Sequence, residues 1–422
     1  QVILFVFLPI LIFESAYNTD VHIFQREFWQ VLVLAVPGVI LMTILTACIV
    51  KYWLPYNWSW DTSLMFGSML SATDPIAVVA LLKELGVSER LAVLIEGESL
   101  LNDGTAIVLF SVFRDALIGT AADSDPATVI KTAARLSLGG PLVGAVLGMA
   151  GSFCLGYIMD DGQSEITVTV IVCFTSFLIA EATALHVSGV LAVVTTGLVM
   201  SFYARGRISP GVEDSLNTFW SVTSYFANTI IFFISGLIIG DRAIFADAIR
   251  GQEWLFLLML YVGIQLVRAV NVIVCSPFLI MGGYGMDWKS LAVLAFAGLR
   301  GAVGLTLALI VAEDDDIDRV TRERILFYMA GIAALTLVVN GTLTKPLLHY
   351  LEMDRSSSAE TEIFIRACSV IESKLDHQID LLKGDRFVGD ADWEIVWRYV
   401  PCMTAKSYWQ RIRNGSIKLS AE

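Results

Sequence analysis

The feature that most limits how this chain can fold is its succession of long apolar runs. Residues 28–50, 187–204, 216–240, 254–281 and 323–348 each approach or exceed the roughly 20 helical residues that cross the hydrocarbon core of a bilayer. A coarse division gives about eleven membrane segments, at 1–17, 28–54, 61–83, 92–118, 131–159, 164–184, 187–204, 216–240, 253–281, 287–312 and 323–351. With 56% hydrophobic and only 16% charged residues, the chain holds more apolar surface than a soluble fold hides. The expected class is therefore an all-α polytopic membrane protein, with the lipid bilayer as its first partner. Short polar connections such as Asp160-Asp161-Gly162-Gln163 fit a compact helical bundle.

Several function classes drop out early. A formal net charge of −13 argues against nucleic acid as a partner. Cys48, Cys154, Cys173, Cys275, Cys368 and Cys402 show no paired spacing, so neither a disulfide framework nor a metal cofactor is expected. No nucleophile–base pair points to an enzyme. The chain begins at Gln1 inside an apolar run with no charged region before it, and reads as a piece of a longer protein rather than as a signal peptide. Residues 1–351 are expected to form the transmembrane domain, and 352–422 the start of a cytosolic regulatory tail. In that tail Ile363, Ile365, Val370, Ile371 and Leu375 are spaced for an amphipathic helix. Basic residues in the loops do not order the segments by the positive-inside rule; only the basic tail and the acidic run Glu313-Asp314-Asp315-Asp316 lean toward a cytosolic tail.

An ionisable side chain inside a membrane segment costs several kcal/mol unless it is paired or lines a wet cavity, so it is a functional candidate by default. Here such residues are Glu14, Asp74, Glu96, Glu98, Asp103, Glu181 and Arg300, with Arg268 and His186 less informative. The densest stretch is Glu96-Gly97-Glu98-Ser99-Leu100-Leu101-Asn102-Asp103. On a helix Ser99 and Asp103 share one face, and Glu98 and Asn102 the neighbouring one. Oxygen ligands of this kind suit a small hard cation. One polar residue alone would be explained by bonding between helices; four within six residues favour an ion site.

Two further segments carry the chemistry of interrupted helices. In Ser71-Ala72-Thr73-Asp74-Pro75 the proline removes a backbone donor and crowds the preceding turn. In Ala297-Gly298-Leu299-Arg300-Gly301-Ala302-Val303-Gly304 glycines loosen a helix around one cation. Paired interruptions in two halves of a chain point to a transporter's midplane site. Arg300 keeps its charge and needs an acidic partner; Glu98, Glu181, Asp74 and Glu14 are all candidates.

The phrases Ser71-Ala72-Thr73-Asp74-Pro75, Gly97-Glu98-Ser99-Leu100-Leu101-Asn102-Asp103 and Gly298-Leu299-Arg300-Gly301-Ala302 resemble the signatures of monovalent cation/proton antiporters of the sodium/proton exchanger type. With Pro55-Tyr56-Asn57-Trp58 and Leu81-Leu82-Lys83-Glu84-Leu85-Gly86, they are most similar to the plant plasma-membrane "salt overly sensitive" exchangers, with the sperm-type exchangers as close relatives. The resemblance spans roughly residues 1–350. It implies an inverted-repeat antiporter fold of about thirteen helices with two crossing broken helices, of which about eleven are present here. It also implies a homodimer in the plasma membrane.

Residue by residue, the resemblance makes Asp103 the carboxylate shared by cation and proton, and Asn102 the amide of electroneutral members. Ser99, Thr73 and Asp74 become supporting ligands, and Glu14 an acidic neighbour of the site. Glu98 and Arg300 become an ion pair between core helices. Asn228 stands where animal exchangers usually carry Glu. The expected function is thus electroneutral exchange of Na⁺ for H⁺ by alternating access, with potassium/proton exchange as the alternative. A channel would want a filter-like repeat, and an organic-acid carrier would want cationic groups at its site; neither pattern is present.

Overall fold

The structure, a computed structural model, describes residues 3–119, 126–158, 160–183, 185, 187–241, 251–282, 285–353, 358–384 and 391–392. Most of the expected regulatory tail, including residues 393–422, lies outside the described residues. The elements are helices: α1 (Leu8–Asn18), α2 (Val21–Val33), α3 (Val39–Trp53), α4 (Trp60–Ser71), α5 (Ile76–Glu84), α6 (Glu89–Ile118), α7 (Pro126–Leu155) and α8 (Gly162–Ala182) in the first half. They are followed by α9 (Gly189–Tyr203), α10 (Pro210–Ile239), α11 (Gly251–Met281), α12 (Trp288–Phe296), α13 (Ala302–Ala312), α14 (Arg319–Leu335), α15 (Gly341–Tyr350) and α16 (Ser358–Lys383).

Among the described residues six helical stretches are long and apolar enough to cross a membrane: Val21–Trp53, Lys131–Leu155, Gly162–Ala182, Pro210–Ile239, Gly251–Met281 and Arg319–Tyr350. Shorter apolar helices are Ile3–Asn18, Gly189–Tyr203 and Ala302–Ala312. Two of the long stretches are joined by π-helical turns, Leu34–Gly38 between α2 and α3 and Thr336–Asn340 between α14 and α15. In the first, the wider turn absorbs Pro37, whose missing N–H and bulky ring would otherwise break the rod. The second expected segment starts earlier than its apolar run because Asp20 caps α2, its carboxylate accepting from the amides of His22 and Ile23.

Side-chain placement is that of a protein in lipid. Leu138, Leu142, Phe153, Phe233, Leu237 and Phe278 are exposed, whereas Thr43, Ser63, Ser68, Glu98, Asn102 and Arg268 are buried. Polar groups turn inward because hydrocarbon offers them no partner. The chain is accordingly an integral membrane protein.

Two of the expected segments are each divided. Residues 72–75 interrupt α4 and α5, and residues 297–301 interrupt α12 and α13. The two extended stretches meet in an antiparallel bridge between Asp74 and Leu299, the amide of Asp74 donating to the Leu299 carbonyl at 2.9 Å. The described residues form an all-α fold in which the two broken helices meet at this bridge. Beside this crossing, α7 packs closely on α9 through small residues. A Cβ on Gly144 would stand 2.1 Å from the Ala192 carbonyl oxygen, and the Gly144 carbonyl accepts from Thr196 Oγ1 at 3.1 Å.

A second unit gathers Glu84–Val87 with the described residues from Leu348 on. Its longest element is α16, which exposes Ile363, Val370 and Ile371 and buries Ile379.

The α7–α9 packing gives a direct test. Gly144→Ala should destabilise the protein by about 1–3 kcal/mol through backbone displacement. Gly236→Ala, where a Cβ meets nothing within 4 Å, should be neutral or slightly stabilising because Ala is the better helix former. Thermal unfolding in detergent reads both, and equal melting temperatures for the two variants would contradict the close approach.

Candidate functional site

The site is built from the two helix breaks and the polar face of α6. Pro75 cannot continue the hydrogen-bond ladder, so α4 ends at Ser71 and Ala72 turns extended at φ −61°, ψ 129°. Asp74 then restarts the helix, its Oδ1 accepting from the Ile76 amide at 3.0 Å as a cap does. The opposite stretch passes very close: a Cβ on Gly301 would fall 2.1 Å from Asp74 Oδ2. Only glycine admits that crossing.

From α6, Ser99 Oγ donates to the Thr73 carbonyl. Asn102 Nδ2 donates to the Ser71 carbonyl at 2.9 Å and to Thr73 Oγ1 at 3.1 Å. The backbone groups released by the first break are thus taken up by α6 side chains, as burial requires. The same bonds orient the oxygens of Thr73 and Ser99. A hydroxyl that gives its proton to a carbonyl keeps its lone pairs for another partner.

These groups border a cavity of about 270 Å³ whose walls include Glu14, Thr73, Asp74, Ser99 and Asp103. The structure therefore brings five of the expected site residues together, from α1, the first break and α6. Glu14 is held at the α1–α10 side, its Oε1 accepting from Asn18 at 2.8 Å and its Oε2 from Ser224 at 3.4 Å. Asn228 of α10 also lines the cavity.

Asn102 is fully buried, its amide nitrogen bracing the α4 break through the Ser71 carbonyl and Thr73 Oγ1. One expectation is corrected. The ion pair of Glu98 is not with Arg300. Arg268 of α11 reaches both carboxylate oxygens of Glu98, with Nη2 at 2.8 Å from Oε2, and also donates to the Leu294 carbonyl at 3.2 Å. Both side chains are almost wholly buried, at 2% and 1% exposure. Arg300 sits in the extended break and curls back, its Nη1 donating to the Gly298 carbonyl at 2.7 Å. Its backbone amide donates to Thr336 Oγ1 at 3.1 Å. The physical reason is direction: Arg268 extends from α11 to Glu98, while the break turns Arg300 toward its own backbone.

Sequence reasoning ranked Arg268 as less informative and gave Lys83 no role in the site. Arg268 had a usable signal, a lone cation in the middle of the apolar helix Gly251–Met281. Lys83, at the end of the expected segment 61–83, lines the cavity together with Glu96.

The buried pair predicts a specific mutant pattern. Glu98→Gln alone leaves Arg268 charged and unmatched in the core and should cost about 3–5 kcal/mol, as should Arg268→Gln by the converse. The double variant should recover much of that loss, measured as melting temperature and detergent-stable yield. Arg300→Gln combined with Glu98→Gln should show no such recovery; recovery there instead would restore the Arg300 pairing.

With this geometry in place, comparison with known proteins is informative. A family described as sodium/hydrogen exchanger, transmembrane, matches residues 1–350. Sodium/hydrogen exchangers 7 and 8 of Arabidopsis thaliana are 41% and 40% identical over 405 residues, 95% of this chain. The match spans 35% and 53% of those two plant proteins, so this chain corresponds to only part of each. The Na(+)/H(+) antiporter ApNhaP of Aphanothece halophytica is 32% identical over 383 residues, covering 89% of this chain and 70% of that protein. Among solved structures, the sodium proton antiporter MjNhaP1 of Methanocaldococcus jannaschii at pH 8 aligns with a TM-score of 0.67 at 19% identity. That alignment covers 82% of this chain and 84% of the other, and it establishes likeness of fold.

Proposed function

The chain belongs to the sodium/hydrogen exchanger family, and from that premise we propose that it is an electroneutral antiporter that exchanges one sodium ion for one proton by alternating access. The observation that carries the reading is Asp103, which faces a cavity at the crossing of two helix breaks, beside the oriented oxygens of Thr73 and Ser99 and the carboxylate of Asp74. Among the described residues Asp103 enters no ion pair.

Ionised, Asp103 supplies the charge that a partly dehydrated Na⁺ needs, and the hydroxyl oxygens replace part of its water shell. Protonated, the same carboxyl loses that charge and releases the cation. A single group that serves both substrates couples them by mutual exclusion. Asn102 is neutral and engaged with the backbone, so it adds no second charge to the exchange. The Glu98–Arg268 pair carries no net charge and ties α6 to α11. One Na⁺ against one H⁺ then moves no net current. The same proposal includes assembly as a homodimer in the plasma membrane, with residues 352–422 opening a cytosolic regulatory region; the motif resemblance is its support.

The test is Na⁺-driven proton flux by the full chain in proteoliposomes with membrane voltage clamped. Asp103→Asn should reduce flux to the level of protein-free liposomes, and substantial retained flux would contradict the assignment. Ser99→Ala should raise KM for Na⁺ by about threefold to tenfold through loss of one ligand oxygen. Flux driven equally well by K⁺ would favour the potassium reading of the same site.

A further inference from the structure

The cavity has an outer end that the exchange chemistry at Asp103 does not use. On α5, Ile76, Val79, Ala80 and Lys83 line it; on α6, Glu96, Ser99, Leu100 and Asp103 do. Each set follows the i, i+3, i+4, i+7 spacing of a single helix face, so the two helices contribute one continuous stripe apiece. At 1.5 Å rise per residue, Lys83 lies roughly 13 Å along α5 from the level of Asp74, and Glu96 roughly 10 Å along α6 from Asp103. Because α5 leads away from the crossing and α6 returns to it, the two charges meet at the outer end. Lys83 Nζ stands 3.7 Å from Glu96 Oε2, with side chains 55% and 12% exposed. At the inner end Thr73 and Ser99 are only 5% and 4% exposed.

A half-exposed pair at this distance adds little to stability, so fastening α5 to α6 does not account for its place in the cavity wall. Its chemistry matches the cargo. The lysine ammonium has the charge of a sodium ion, and its flexible stem of four carbons lets it leave Glu96 without disturbing either helix. While it rests there, it neutralises one carboxylate of the cavity wall. A cation that arrives from water has to displace it before moving inward.

We propose that Lys83 and Glu96 form a cation-entry site, in which Glu96 first holds the incoming monovalent cation and Lys83 is a tethered cation that competes for it. The proposal rests on the exchange reading given above. The pair sets how much external cation is required to load Asp103, while Asp103 itself carries the exchange.

The experiment measures initial rates of Na⁺-driven proton flux by the full chain in proteoliposomes across a range of Na⁺ concentrations, with ionic strength held constant by choline chloride. Lys83→Gln should lower KM for Na⁺ by about threefold to tenfold, the scale expected if the lysine leaves Glu96 free for only about a tenth to a third of the time. Lys83→Arg should keep the wild-type KM. Glu96→Gln should raise KM by a similar factor, with kcat moving less than KM. Adding Lys83→Gln to Glu96→Gln should produce little further change, because the lysine no longer has a carboxylate to occupy. An unchanged or raised KM in Lys83→Gln, or fully additive effects in the double variant, would overturn the entry site. Should Glu96→Gln fail to fold, Lys83→Gln against Lys83→Arg decides the matter alone. Absence of Na⁺-driven flux in the wild type would remove the exchange reading and the entry site with it. Wild-type flux with unaltered KM in the Lys83 variants would remove only the entry site.

Discussion

Two helices that unwind inside a bilayer expose backbone groups where lipid supplies no hydrogen bond, and everything else in this protein follows from how those groups are satisfied. Asp74 donates its amide to Leu299 across the crossing, Asn102 and Ser99 take up the Ser71 and Thr73 carbonyls, and Thr336 accepts the Arg300 amide. Irregular backbone at membrane depth survives only when it is enclosed in protein or lines a wet space. Here it does both. The groups that stabilise the breaks are also the groups that shape the cavity wall, so the ion space and the fold are one construction.

That coupling explains why side chains of different kinds share so small a volume. Gly301 is required because Asp74 passes within contact distance of where any Cβ would lie. Asn102 is polar because it bonds two oxygens of the break. Glu98 and Arg268 form a matched buried pair that fixes α6 relative to α11 without adding net charge near Asp103. Such a pair contributes little net stability compared with apolar packing, but losing one member is severe. Its value lies in holding α6, and with it Ser99 and Asp103, at one rotation.

Much of this was legible in the sequence because it is local. Hydropathy located the spans, Pro75 and the glycines of 297–304 located the breaks, and helical spacing placed Ser99 and Asp103 on one face. What was not legible depends on distant rotations. Glu98 and Arg268 are 170 residues apart, and nothing along the chain says which way α11 turns its arginine. Arg300 looked like the better partner because it lies in a motif, yet the extended backbone of the break directs it to the Gly298 carbonyl. Asn102 and Asp103 are neighbours in sequence, but a helix sends adjacent side chains about 100° apart, so Asn102 bonds the oxygens of the break while Asp103 lines the cavity. Lys83 stands at the end of its expected segment, and only its contact with Glu96 places it in the cavity wall.

The central claim is that one carboxyl, Asp103, holds either a proton or a sodium ion. Proton release on Na⁺ binding tests it most directly, measured with the purified full chain in weakly buffered detergent solution near neutral pH. The account predicts that adding Na⁺ to the wild-type protein releases protons saturably, approaching one per bound ion, and that Asp103→Asn releases none. Saturable sodium binding without proton release in the wild type, or undiminished release in Asp103→Asn, would contradict it.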